Sequence, residues 1–205
     1  MKKLIALPVA ALCFAATAHA AGTIDASNST ITCNTITKGV IQLKPALVTG
    51  GTLPGVVKIK GTLSGCTTTA PGVTSITGTF KGELTSTAND CANLVGPTSN
   101  TGTIAVKWKA IPALIDPTST VTVTAGDAVG GLFLGVPPGA YGLFQLGNPP
   151  GSALSVAGSF TGGNGGATSV ASIVTTQDAG ALGTLCASPT GLKALNMGVG
   201  TITLQ

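Results

Sequence analysis

Arginine is absent from this 205-residue sequence, and histidine occurs once, at His19. Charged residues make up 8% of the chain and aromatic residues 3%, against roughly 25% charged in ordinary soluble domains. The lone histidine falls in a leader. Met1-Lys2-Lys3 is basic, Leu4 to Ala16 is apolar and uncharged, and Ala18-His19-Ala20 is a small-x-small cleavage site before Ala21-Gly22. This is the pattern of a Sec-type signal peptide over residues 1–20, too short to anchor in a bilayer. The expected mature chain, 21–205, is a single secreted domain with neither histidine nor arginine. That removes nucleophile–histidine catalysis and the commonest metal ligand.

Charge is scarce and balanced. Without Lys2 and Lys3, eight lysines face six acids, a net +2, too small and too scattered for a nucleic-acid surface. The acids are Asp25, Glu83, Asp90, Asp116, Asp127 and Asp178. Glu83 sits on the polar face of a strand pattern and the aspartates sit among turn residues, so a paired-carboxylate cleft is not expected. The lysines of the clear strand patterns lie on polar faces, which does not suit Ser–Lys chemistry. The Gly162–Gly166 run lacks the lysine and the strand–helix setting of a phosphate loop. We expect no catalytic residues, no cofactor and no metal.

Sustained helical periodicity is also lacking, and thirty glycines and twelve prolines punctuate the chain. One or two short helical turns are expected, near Asn89–Leu94 or Asp178–Leu182. Period-two alternation is what is present. Val57, Ile59, Gly61 and Leu63 alternate with Lys58, Lys60 and Thr62. Ile76, Gly78, Phe80, Gly82 and Leu84 alternate with Thr77, Thr79, Lys81 and Glu83. Ile104, Val106 and Trp108 alternate with Thr103, Ala105 and Lys107. Each pattern is a strand with one wet and one buried face, the mark of an antiparallel sheet. Further strands are expected at Thr30–Cys33, Val40–Lys44, Ser119–Ala125, Leu154–Phe160, Ser169–Thr175 and Gly198–Leu204. Strands about ten residues apart, with Gly/Pro-rich loops, predict an all-β antiparallel β-sandwich, immunoglobulin-like or related. The inward glycines would leave room for Trp108 or Phe80 from a facing sheet.

Five cysteines become four when Cys13 leaves with the leader. Cys33, Cys66, Cys91 and Cys186 form an even set without a C-x-x-C pair. In an oxidising compartment such a set predicts two disulfides, with three possible connectivities.

From Ala128 to Gln177 there is no charged residue, yet Phe133, Tyr141, Phe144 and Phe160 all lie there. Gly130-Gly131, Pro137-Pro138-Gly139 and Pro149-Pro150-Gly151 break the region, which excludes a membrane helix. The aromatics are too few for the girdles of an outer-membrane barrel. Phe133, Tyr141 and Phe144 are therefore candidates for a contact surface.

Cys33, the stretch Val40-Ile41-Gln42-Leu43, and the strand Val56–Gly65 ending in Cys66 resemble the start of chaperone–usher pilin subunits. The similarity covers about the first third of the mature chain; the C-terminus, Thr201-Ile202-Thr203-Leu204-Gln205, lacks the penultimate tyrosine of that family. The resemblance implies a Cys33–Cys66 disulfide between the first two strands, which leaves Cys91–Cys186. It also implies assembly. The expected protein is secreted (extracellular, periplasmic or at the cell surface), non-catalytic, and structural or adhesive at a bacterial surface or in a matrix. Its expected partners are itself, as homo-oligomer or fibre, or another surface protein. The alternative is an extracellular module for a small apolar or carbohydrate ligand, distinguished by an apolar pocket lined by Trp108, Tyr141 or Phe144.

Overall fold

The computed structural model describes residues 22–135, 139–147 and 154–205. The expected signal peptide, with Cys13 and His19, and the proline pairs at 137–138 and 149–150 lie outside the described residues. The described residues form eleven strands: β1 (Ile31–Leu47), β2 (Gly55–Thr68), β3 (Ser75–Ser86), β4 (Gly96–Pro97), β5 (Thr101–Ile111), β6 (Thr118–Val123), β7 (Ala128–Gly135), β8 (Gly139–Leu146), β9 (Ser155–Gly158), β10 (Val170–Asp178) and β11 (Leu192–Leu204). A 3-10 turn, Cys91–Leu94, follows β3, and one helix, α1 (Ala179–Ala187), connects β10 to β11.

All eleven strands join one antiparallel sheet, in the order β4-β7-β8-β10-β11-β1-β2-β3-β5-β6-β9. The sheet curls into a half-barrel with its apolar face inward. The antiparallel, all-β expectation is met. The two separate layers of a sandwich are replaced by one continuous surface. The physical reason lies in the long central strands. β1 runs seventeen residues where two short strands were expected, and its pairing with β2 shifts between Thr37 and Val40, at Lys38 (φ 53°) and Gly39. A bulge of this kind bends a strand and increases its twist, so one sheet covers its own core.

The central strands follow the alternation. On β3, Ile76, Gly78, Phe80 and Leu84 are buried, while Thr77, Thr79, Lys81 and Glu83 are exposed. On β5, Ile104, Val106 and Trp108 are buried. The glycines leave space for aromatics on the neighbouring strand of the same sheet, which corrects the expectation of a facing sheet. Gly61 pairs with Phe80 and Gly78 with Trp108. A Cβ at Gly61 would stand 2.6 Å from Phe80 Cζ, and one at Gly78 would stand 2.7 Å from Trp108 Cζ3. The aromatic rings therefore lie across bare backbone. The outer face of β2, β3 and β5 carries Lys58, Lys60, Lys81, Lys107 and Lys109, all exposed. Apolar inside and cationic outside is the reverse of a lipid-embedded barrel.

One end of the core is closed by Trp108 and Phe160. Their rings meet edge to face, 5.2 Å apart at 80°, a favourable aromatic geometry. Trp108 Nε1 donates to Ser119 Oγ (2.8 Å), Ser119 Oγ donates to the Ser159 carbonyl, and Ser159 Oγ donates to the Asp116 carbonyl. This relay satisfies the buried polar groups that the indole brings inside. The N-terminal segment crosses this end: Ile24 N–H bonds to the Ala113 carbonyl, and Phe160 N–H bonds to the Ala26 carbonyl.

Candidate functional site

Every acid of the described chain has a local structural partner. Asp25 accepts from Ser27 N–H, and that bond holds its carboxyl below the ordinary carboxylate range. Asp90 accepts from Ala92 N–H in the 3-10 turn and from Gly50 N–H. Asp116 and Asp127 accept from the backbone and hydroxyl of Thr118 and Thr124 respectively. Asp178 caps α1 by accepting from Ala181 N–H at 2.9 Å, an N-cap contact of the ordinary kind. Glu83 pairs with Lys58 at 3.3 Å across β2 and β3, in the open. These carboxylates finish turns, cap helical segments and balance a strand face. No group of three or more His, Cys, Asp or Glu gathers among the described residues.

Two disulfides staple the sheet. Cys33 is joined to Cys66, its direct partner in the β1–β2 ladder. Cys91 in the 3-10 turn is joined to Cys186 in α1, across 95 residues. The second bond ties together the two short helical segments, which lie at the positions expected for them. Leu182 and Cys186 are the buried residues of α1. A Cβ at Gly142 would meet Leu182 Cδ1 at 3.1 Å, so the helix rests on β8. No helix among the described residues is long and apolar enough to cross a membrane.

The structure divides the three candidate contact aromatics. Phe133 stands opposite Tyr141 in the β7–β8 ladder, where its backbone alone is described; Phe144 stands opposite Gly130. Tyr141 and Phe144 are three residues apart on one strand and so point to opposite faces. Phe144 is half-buried, packs against the core and lines an apolar cavity. Tyr141 is half-buried and does not line it.

That cavity lies inside the curl of the sheet and has a volume of about 120 Å³. Leu84, Ile104, Val121, Phe144, Ile173 and Leu195 are among its apolar walls. Its lining also includes exposed Lys44 and Pro45 and the polar side chains of Asn89, Asn93, Thr98 and Asn100. Of the aromatics named for such a pocket, Phe144 lines it, while Trp108 is engaged with Phe160 and Ser119. No motif marks Asn100 in the sequence. It stands in a Pro-Thr-Ser-Asn stretch that reads as ordinary turn chemistry, and its place on the cavity depends on the curl of the whole sheet.

The β7–β8 hairpin lies next to the last strand of the sheet, β4. β4 flanks β7 only at Gly96–Gly130 and Pro97–Val129. Beyond these pairs, Gly131 to Gly135 have no strand partner on that side among the described residues. Searches against protein-family models, curated proteins and solved structures gave no match to this chain.

Proposed function

We propose that this chain is a secreted, non-catalytic β module with a structural or adhesive role at a bacterial cell surface or in the extracellular matrix, acting through association with further copies of itself. The observation that carries this reading is the outer edge of β7, an uncharged strand flanked by Thr98 and β4 from Ala128 to Gly130 and, among the described residues, by no strand beyond them. An open strand edge presents unpaired N–H and C=O groups that template another strand. The neutral stretch Ala128–Gln177 puts no repulsion between copies. Two β7 edges related by a two-fold axis pair antiparallel, each giving the other the same surface. Local partners for all six acids fit a non-catalytic role, and the resemblance to pilin subunits points to assembly as well.

The test is the size and shape of the purified, oxidised 21–205 chain over a wide concentration range, by light scattering and negative-stain microscopy. Concentration-dependent dimers or fibres are expected. A strict monomer at millimolar concentration overturns the self-association reading. A second reading, an extracellular module for a small apolar ligand, is favoured by one observation: the apolar cavity lined by Phe144.

A further inference from the structure

Five of the eight lysines of the expected mature chain, scattered in sequence, are gathered by the sheet onto one face. Lys58 and Lys60 on β2, Lys81 on β3, and Lys107 and Lys109 on β5 are all exposed. Lys60 stands directly opposite Lys81, and Lys81 is paired with Ala105, which puts Lys107 one step further along β5. With about 6.7 Å between alternate residues of a strand and about 4.8 Å between strands, the five form a diagonal stripe whose neighbours are on the order of 5–8 Å apart. Glu83 is the one acid of these three strands and is taken by Lys58. Asp116, beside the Lys107 end, is bonded to Thr118. Lys60, Lys81, Lys107 and Lys109 have no ion-pair partner among the described residues. Like charges set directly opposite destabilise a sheet, so the fold alone gives no reason for the Lys60–Lys81 pair. A shallow depression of about 440 Å³ lies on this face, lined among others by Gln42, Lys58, Lys60, Lys81, Glu83 and Thr103. Small-ligand sites span roughly 300–1,000 Å³.

We propose that this face binds an acidic polysaccharide, its carboxylates along the lysine stripe and its hydroxyls on Gln42 and the exposed Thr79 and Thr103. The chemistry of the face selects that partner from other polyanions. It has no arginine, whose planar fork suits phosphates, and no aromatic ring to stack a nucleobase, since Phe80 and Trp108 are buried on the other side of these strands. Of the exposed large apolar side chains, Ile111 alone belongs to these strands, too little to enter a lipid surface. The inference rests on the matrix role proposed above, to which it gives a partner, but not on the β7 edge, because β8, β10, β11 and β1 stand between β7 and β2.

The experiment titrates the oxidised 21–205 chain with alginate oligomers, chains of uronic acid, and with uncharged dextran oligomers of the same length, at low and at physiological salt. Alginate should bind and dextran should not, and the alginate affinity should fall by roughly tenfold or more as salt rises, because binding releases counterions. Lys81→Gln should weaken alginate about two- to fivefold, the range of one exposed charge contact. Its folding stability should hold or rise, since the repulsion with Lys60 is relieved. Lys193→Gln, which removes the same charge from β11, should change binding by less than about twofold at physiological salt, where distant charges are screened. No binding of alginate at low salt, equal binding of dextran, or equal losses in the two variants overturns the proposal. Tighter binding of single-stranded DNA or of phosphatidylglycerol vesicles than of alginate overturns the polysaccharide as the occupant. Light scattering without polymer reads the β7 association separately, so a failure of either is distinguished from a failure of the other.

Discussion

The two edges of the sheet are built from the same neutral stretch of chain and end differently. At β9, Val156 N–H turns away from β6 and bonds to the Gly165 carbonyl at 2.6 Å. The turn that supplies this carbonyl is held by Asn164 Oδ1, which accepts from Gly166 and Ala167 N–H. The C-terminal residue then bonds to Ser169 and Thr168 beside it. At β7, the partner strand is two residues long. Many proteins protect edges with charge, but neither edge here has any. Protection at β9 comes from backbone geometry; at β7 no such turn is found among the described residues. One edge is completed by the chain itself; the other, beyond Gly130, has no strand partner among the described residues.

The largest expected effect lies beside the closed edge. Phe160 is fully buried on Trp108 and adopts φ 63° next to the strand it follows. Phe160→Ala should destabilise by about 3–5 kcal/mol, the range for a fully buried aromatic. Denaturant unfolding measures it, and a loss below about 1 kcal/mol would mean that the closure at this end is not a packed one. Phe80→Ala, in the middle of the sheet, should fall in the same range, whereas Lys81→Ala on the outer face should change stability by less than about 0.5 kcal/mol. Equal effects at these adjacent positions would place the register of β3 one residue out.

That register was legible in advance, since the polar and apolar residues of β2, β3 and β5 alternate without interruption. The two helical segments were legible too, because Asp90 and Asp178 stand where their caps are needed. The curl was not. A sandwich and a half-barrel both require strands with one wet and one buried face, so alternation does not separate them. In β1 the buried positions pass from Ile31 and Cys33 to Ile36 and then to Ile41 and Leu43, changing parity twice. Read locally, that is two strands and a loop; only the pairing with β2 and β11 makes it one bent strand. The cavity depends on the same bend, which is why no motif pointed to Asn100. Likewise, the Gly162–Gly166 run reads as a flexible loop, and what turns it into an edge cap is its contact with Val156.

Gly166→Ala should produce the intermediate effect. Gly166 has φ 87°, and a Cβ there would collide with the Val156 side chain. Overpacking and left-handed strain together should destabilise by about 1–3 kcal/mol. The same change uncovers the β9 edge. Association should then become two-sided, and the variant should aggregate at concentrations where the parent forms closed species. A destabilised variant with unchanged association, measured by light scattering, would show that β9 is protected by something other than this turn.

The smallest effect on stability should come from Gly131→Lys, on the open edge, and it should alter association most selectively. Gly131 lies on β7 just past the last β4 pair, and a Cβ built on it meets nothing within 4 Å. A lysine there has room, takes no contact from the core, and should shift unfolding by no more than about 0.5 kcal/mol. It also places a charge on a strand edge that has none, the device by which natural sheets discourage edge-to-edge pairing. In a two-fold β7–β7 pairing both copies carry the added charge, so like charges are brought into one interface. Dissociation should therefore strengthen at low ionic strength and ease as salt screens the charges. Sedimentation of parent and variant at two salt concentrations measures this directly. Unchanged association in a normally folded Gly131→Lys would move the interface away from β7.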